Sequence, residues 1–352
     1  MSLKKVLLFG AALLGTLVVL DIYLQVAEIQ TPMETRIDSE LGPTYIPNKR
    51  ITRFNEGFFI GGVNEFGYMG PAVPPRREEG EGRVLLIGDS YVLGHTVLPR
   101  HYFGRFLEQT LTKELGEKVL ALNFGKADFN FGNMYQYYMD FAGRFDHDLA
   151  LFFVGEGDLV PLGQVVSSLY PTIELLDETI VIDKNFSAGK TYRFYHVIEP
   201  LFTRSAVLRL AFNTYKVINS GSWIVVVLDK LAALGASEVA GASAEATQVS
   251  LELPRLSRAI LSELAKDTRN VLVVRTVLAP ELIKEIKTIG MPLIDLGGYL
   301  EALRNEGKDP DYWPVTGMRG HWNHAAHPLI ANFLNEQILS RRLLSPPFGL
   351  LN

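Results

Sequence analysis

The 352-residue chain reads as an α/β protein, three layers built on a central parallel sheet, behind an N-terminal membrane helix. Three observations predict this. Short, continuous apolar runs alternate with stretches of helical spacing, and strands with no polar face are those of a parallel sheet covered on both sides. Gly88-Asp89-Ser90 follows the first of these runs, at a strand-to-helix turn of the kind that carries ligands in such sheets. Ahead of them all, Val6 to Leu20 contains no charged residue.

The N-terminal segment comes first. Lys4 and Lys5 precede the apolar run, which continues past Asp21 through Ile22, Tyr23 and Leu24. About 20 apolar residues cross the hydrocarbon, so Val6 to Leu24 suffices with Asp21 near the headgroups. The two lysines favour the cytoplasmic side, which places the body outside it, periplasmic or on the outer face. A cleavage site ending at Ala27 has Gln25 where a small residue is wanted, so residues 1–27 are expected to stay as a signal anchor. Ala11 and Gly15 make a small-xxx-small pair, a weak signal for a second membrane helix.

Residues 28–82 are rich in Pro, Gly and charge, ending in Pro74-Pro75-Arg76-Arg77-Glu78-Glu79, and read as an extended lead-in wrapping the domain. The α/β domain follows over 83–345. Strands are predicted at Arg83–Ile87, Lys118–Leu122, Leu149–Val154, Asn270–Arg275 and Pro292–Leu296. Helices are predicted at Phe103–Leu115, Met134–Phe145, Leu253–Lys266 and Pro328–Leu339. The alternation breaks at about 159–250, read as an insertion with a hairpin over Thr172–Asp183 and mostly helix over Val197–Ala236. Trp223 to Leu228 is too short for a second span.

Composition narrows the function. With 34 Lys plus Arg against 39 Asp plus Glu, a net −5 and no dense basic stripe, nucleic acid is not an expected partner. The absence of cysteine excludes disulfides, thiolate nucleophiles and Cys-ligated metals, and leaves the redox compartment open.

The chemistry-bearing residues are Ser90, at the end of the first strand, and His321, in Gly320-His321-Trp322-Asn323-His324-Ala325-Ala326-His327 before the last helix. A histidine there can serve as base for the serine hydroxyl. His321, His324 and His327 do not share one helical face, and no carboxylate completes a ligand set, so no metal and no cofactor are expected. Pro328 is expected to start the helix after them. Phe129, Phe131, Tyr135, Tyr137 and Tyr138 form an aromatic cluster, read as packing before cleft.

RVLLIGDSYVLG, VLALNFGKADFNFG, LALFFVGEGDLV and GHWNHAAHPLIANFL resemble, in order, the four sequence blocks of the SGNH, or GDSL, hydrolases. VNEFGYMGP ahead of them is similar to the lead-in of anchored members. The resemblance covers about Asn64 to Leu339 outside the insertion. It implies a flavodoxin-like, three-layer fold and hydrolysis or transfer of esters, often acetyl groups on carbohydrate or lipid, with Ser90 as nucleophile and His321 as general base.

Three positions depart from that pattern. The second-block glycine, whose backbone N–H helps hold the oxyanion, is replaced by Asp128, and the third-block asparagine by Gly157, next to Asp158. The aspartate three before the histidine is Met318. A shifted alignment could recruit Gly132 for the first of these, and Asp309 or Asp311 for the last. Loss of one oxyanion donor costs about 10²–10³ in turnover, and loss of the orienting carboxylate about 10⁴. The sequence therefore predicts a catalytically impaired pseudoenzyme serving as a structural or interaction subunit of a membrane complex. The alternative is an ester hydrolase or O-acyltransferase of envelope carbohydrate or lipid, using Ser90 and His321.

Overall fold

The computed structural model describes residues 3–27, 34–54, 56–159, 169–219 and 252–348. Helix α1 (Leu3–Val26) is continuous, and its mean hydropathy of 2.2 makes it the one described helix long and apolar enough to cross a membrane. The lead-in forms two hairpins, β1 (Thr35–Asp38) with β2 (Gly42–Tyr45), and β3 (Arg50–Arg53) with β4 (Phe59–Gly62). Read as an extended wrapping segment, it supplies Tyr45, Ile51, Phe59, Val63 and Met69 to a small buried cluster that also takes in Leu93. Tyr45 at the end of β2, Ile51 on β3 and Phe59 at the start of β4 are the buried apolar strand residues that anchor the hairpins there.

The domain opens with β5 (Gly82–Gly88), the short α2 (Ser90–Leu93) and α3 (Phe103–Leu115). Next come β6 (Val119–Gly125), α4 (Phe131–Asp140), β7 (Leu149–Val154) and α5 (Glu156–Leu159). The hairpin expected in the insertion is β8 (Thr172–Leu176) with β9 (Thr179–Asp183). Its turn residues Asp177 and Glu178 have φ of 48° and 61°, the left-handed pair of a tight two-residue hairpin. Helices α6 (Lys190–Arg204) and α7 (Ala206–Asn219) follow, and the expected helix beyond 219, with Trp223–Leu228, lies outside the described residues. The chain then runs through α8 (Arg255–Leu264), β10 (Asn270–Val274, with β9 the last hairpin strand before it), α9 (Pro280–Ile289), β11 (Leu293–Asp295), α10 (Leu296–Asn305), the small hairpin β12 (Tyr312–Trp313) and β13 (Met318–Arg319), and α11 (Ala326–Ser340).

Five strands make one parallel sheet in the order β11-β10-β7-β5-β6. Alternate residues feed two separate cores. Leu85, Ile87, Phe152, Val154, Leu272 and Val274 pack on one face beneath α4, α8 and α9. Val84, Leu86, Leu151, Phe153, Val271 and Val273 pack on the other beneath α3, α10 and α11. With both faces covered, the three-layer α/β fold read from the apolar runs is the fold observed.

The helix expected to Phe145 ends at Asp140 and the one expected over Leu253–Lys266 spans Arg255–Leu264, and two other boundaries moved for local reasons. Helix α4 begins three residues before the expected Met134, because Asn130 and Asn133 form a reciprocal capping box. Helix α11 begins at Ala326, so His327 and Pro328 lie in its first turn, where a missing N–H costs no hydrogen bond.

The residues fall into two compact units. One holds α1, α7 and α6 from Arg193 onward, and the other holds the lead-in hairpins and the sheet domain.

Candidate active site

Parallel strands β5, β6, β7 and β10 all end at the same edge of the sheet, and that edge assembles the site. Ser90 is the first residue of α2, one step beyond β5. Asp89 caps the helix by accepting from the Tyr91 amide at 3.0 Å. Gly94 closes it with a left-handed φ of 66°, a conformation glycine takes without strain. A Cβ at Gly88 would collide with Val92, and one at Gly125 with the backbone of Val92 and Leu93. The turn is therefore pressed tightly between β5 and the end of β6.

His321 comes from the loop after β13. Its carbonyl accepts from the Trp313 indole at 2.8 Å, and its ring lies 4.8 Å from the ring of Tyr91. Its Nε2 is 2.8 Å from Ser90 Oγ. Ser90 and His321, 231 positions apart, thus meet as the sequence expectation required.

The third member was missed. Glu56, from the loop between β3 and β4, holds His321 Nδ1 at 2.9 and 3.0 Å and accepts from its backbone N–H at 2.6 Å. A Cβ on Gly320 would strike the Glu56 carboxylate, and one on Gly57 would strike Trp313 and the Thr96 carbonyl, so both glycines let the loop reach inward. The expectation that nothing orients the imidazole is overturned: Met318 is exposed on β13, and the carboxylate arrives from the lead-in. Asp309 and Asp311 do not do this work, being paired with Arg319 at 2.5 Å and with Arg304 respectively.

The proton positions follow from chemistry. An ionised carboxylate only accepts, so Nδ1 carries the hydrogen and Nε2 presents its lone pair to the serine hydroxyl. Glu56 and His321 keep about a quarter of their side chains exposed, so the relay is reachable from solvent.

The fold is SGNH/GDSL-like. Sheet order and the meeting of Ser90 with His321 at the strand ends give it that character. No family model and no curated protein matches the chain. Among solved structures, it is similar to a lipase/acylhydrolase from Enterococcus faecalis at 13% identity, covering 76% of this chain and 100% of that one, with a TM-score of 0.39. It is similar to the acetyl xylan esterase AlAXEase at 13% identity, covering 73% and 99%, with a TM-score of 0.37. A putative GDSL-like lipase from Parabacteroides merdae gives 10% identity over 77% and 100%, with a TM-score of 0.36. The functional reading rests on Ser90, His321 and Glu56, not on these distant likenesses.

The other departures from the SGNH/GDSL pattern look different in three dimensions. Asp128 is exposed and has a φ of 63°, so this residue keeps the left-handed turn that a glycine would adopt there. Among the described residues, the amides of Ser90 and Asp128 make no hydrogen bond. Gly132 is the second residue of α4 and does not replace Asp128 in the turn. Gly157 is exposed with open space where a Cβ would stand, so the side-chain donor of the third block is absent.

Asp158 belongs to a network the sequence did not reveal. Arg275, just past β10, donates to Asp89 at 2.6 Å and to Asp158 at 3.0 Å, with its guanidinium 4.3 Å from the Tyr91 ring centre. Burial pushes the Asp89 carboxyl above its usual range, and Arg275 pulls it back. Burial likewise raises Asp158 to about 6, against the same arginine. The cluster ties the nucleophile turn to the ends of β7 and β10. His95 flanks the relay, 5.8 Å from His321 ring to ring, and burial holds it down at about 4, so it is neutral.

The remaining expected groups are structural. Phe129, Phe131, Tyr135, Tyr137 and Tyr138 are buried core, and Phe129 and Tyr137 help enclose Lys126. His324 lies against His101, and His327 accepts from the Phe103 amide at 3.2 Å. Of the three, His321 meets Ser90, while His324 and His327 lie near His101.

Proposed function

We propose that this chain is a membrane-anchored serine ester hydrolase or O-acyltransferase, its body extracytoplasmic and its substrate an acyl ester of the cell envelope. The observation that carries the reading is the continuous Ser90–His321–Glu56 relay. Ser90 Oγ attacks the ester carbonyl while His321 Nε2 takes its proton, and Glu56 stabilises the imidazolium through Nδ1–H. The Ser90 and Asp128 amides receive the negative charge on the carbonyl oxygen. Collapse expels the alcohol, which takes the proton back from His321. Water, or an acceptor hydroxyl in the transferase case, then attacks the acyl-serine with His321 again acting as base.

Gly157 tempers the rate, since a missing side-chain donor costs about 10²–10³ in turnover. That same glycine is what favours the second reading, a non-catalytic subunit of a membrane complex. Small acetyl esters discriminate between them. Hydrolysis by the full chain well above a Ser90→Ala control supports the hydrolase, and equal rates support the subunit. Placement of the body rests on Lys4 and Lys5, and on α1. Protease added outside cells, with any outer membrane opened, should digest the body and leave a membrane-bound stub, whereas a protected body contradicts the placement.

A further inference from the structure

The unit built on α1 contains an apolar surface that the catalytic reading does not use. Helix α1 is exposed on every side from Leu3 to Leu20, and only Leu24 is buried along its length. The start of α7 packs on the end of α1. Asp21 accepts from the Ser205 hydroxyl at 2.7 Å and from the Val207 amide at 2.9 Å, and Gln25 donates to the Arg204 carbonyl at 3.1 Å. The carboxylate of the apolar helix thus caps the N-terminus of α7, where a negative charge is favoured.

This junction fixes a level. A carboxylate at mid-bilayer is strongly disfavoured, which keeps Asp21 at the headgroups when α1 crosses. The Ser205 corner between α6 and α7 is bonded to it, so the two helices leave from that same level. They are paired on their inner sides, with the Phe202 and Phe212 rings 5.0 Å apart. The outer side of α6 carries Phe194, Val197 and Leu201, which are 60%, 72% and 57% exposed. Their spacing of three and four puts them in one stripe. Arg193 and Arg204 flank it in the open, and the one acidic residue of α6, Glu199, is half-buried on another side.

We propose that α6 lies in the membrane surface, with Phe194, Val197 and Leu201 in the boundary between headgroups and acyl chains and Arg193 and Arg204 on anionic headgroups. An apolar stripe with basic flanks is the composition of an in-plane helix, whose apolar face enters about 5–10 Å. The occupant is the bilayer that α1 crosses, because the stripe belongs to the same unit and ends at Leu201, whose carbonyl accepts from the amide of the Ser205 that is bonded to Asp21. The proposal rests on α1 as a span and not on catalysis.

The chain has no cysteine, so Phe194→Cys, Val197→Cys and Leu201→Cys each create a single thiol. The full-length variants are labelled with an environment-sensitive nitrobenzoxadiazole probe and reconstituted in phosphatidylethanolamine/phosphatidylglycerol vesicles. Glu306→Cys, at an exposed site of the sheet domain, serves as reference. The expected result is blue-shifted emission at all three positions, with severalfold stronger quenching by acyl-brominated lipid than at 306. Emission as polar as at 306 overturns the proposal. So does a blue shift that brominated lipid does not quench, because the stripe is then covered by protein.

Discussion

Replacing Glu56 by Gln removes one charge while keeping length and shape, and it acts on the carboxylate that holds His321 Nδ1. In the wild-type site the carboxylate meets Nδ1 at 2.9 and 3.0 Å and the His321 amide at 2.6 Å. A glutamine keeps the amide contact with its carbonyl oxygen and turns its NH₂ toward Nδ1. The imidazole answers by carrying its hydrogen on Nε2, which then points a donor at Ser90 and cannot take its proton. An enforced wrong tautomer costs about 10⁴ in turnover, or about 5 kcal/mol of barrier. Folding should survive, since Glu56 is partly exposed and the turn around Gly57 is unaltered. The assay is kcat/KM for small acyl esters beside thermal melting, with Glu56→Asp falling between wild type and Gln. A folded Glu56→Gln within tenfold of wild type would refute the claim that Glu56 completes the relay.

Three further outcomes follow from the same geometry. Met318→Asp, which restores the residue of the SGNH/GDSL pattern, should change kcat/KM by less than about threefold, because Glu56 already occupies the Nδ1 side and Met318 is exposed. Gly157→Asn has open space and no left-handed φ to oppose it, and should raise turnover by up to about 10²-fold; an unchanged kcat would place the oxyanion out of its reach. Asp158 has its carboxyl raised from 3.8 to about 6, so the folded state binds its proton more tightly than the unfolded chain does. Stability from this group is fully present below pH 4 and is lost as pH rises to about 6, so Asp158→Asn should gain in melting temperature on wild type between pH 4 and 7. A constant difference across that range would contradict the assignment.

The sheet was legible because its strands are buried on both faces and therefore read as unbroken apolar runs. Leu149–Val154 was located to the residue, and helix Phe103–Leu115 likewise, bounded by Gly116 in a left-handed cap. Helices α9 and α10 were not read, although Pro280 at the first turn and Gly290 at the C-cap mark α9 in the sequence. Ser90 and His321 were legible because each sits in a contiguous motif beside a regular element.

Glu56 was not, for a physical reason. It lies in a lead-in loop, 34 positions before Ser90, and its reach depends on close approaches to Gly320 and Trp313 that no local pattern records. Arg275 did leave a trace. A charged residue ending the apolar run Asn270–Arg275 stands at the sheet edge where the site forms, and there it bridges Asp89 and Asp158.

The central claim is that Ser90 is an activated nucleophile, and an acyl-mimicking phosphonate tests it most directly. The full chain is incubated with a p-nitrophenyl alkylphosphonate at neutral pH, and the adduct is followed by intact mass and located by peptide mapping. The account predicts a stoichiometric adduct on Ser90, absent in Ser90→Ala and formed far more slowly in Glu56→Gln and His321→Ala. An unmodified Ser90 in folded wild-type protein, or labelling at equal rates in wild type, Glu56→Gln and His321→Ala, would contradict it.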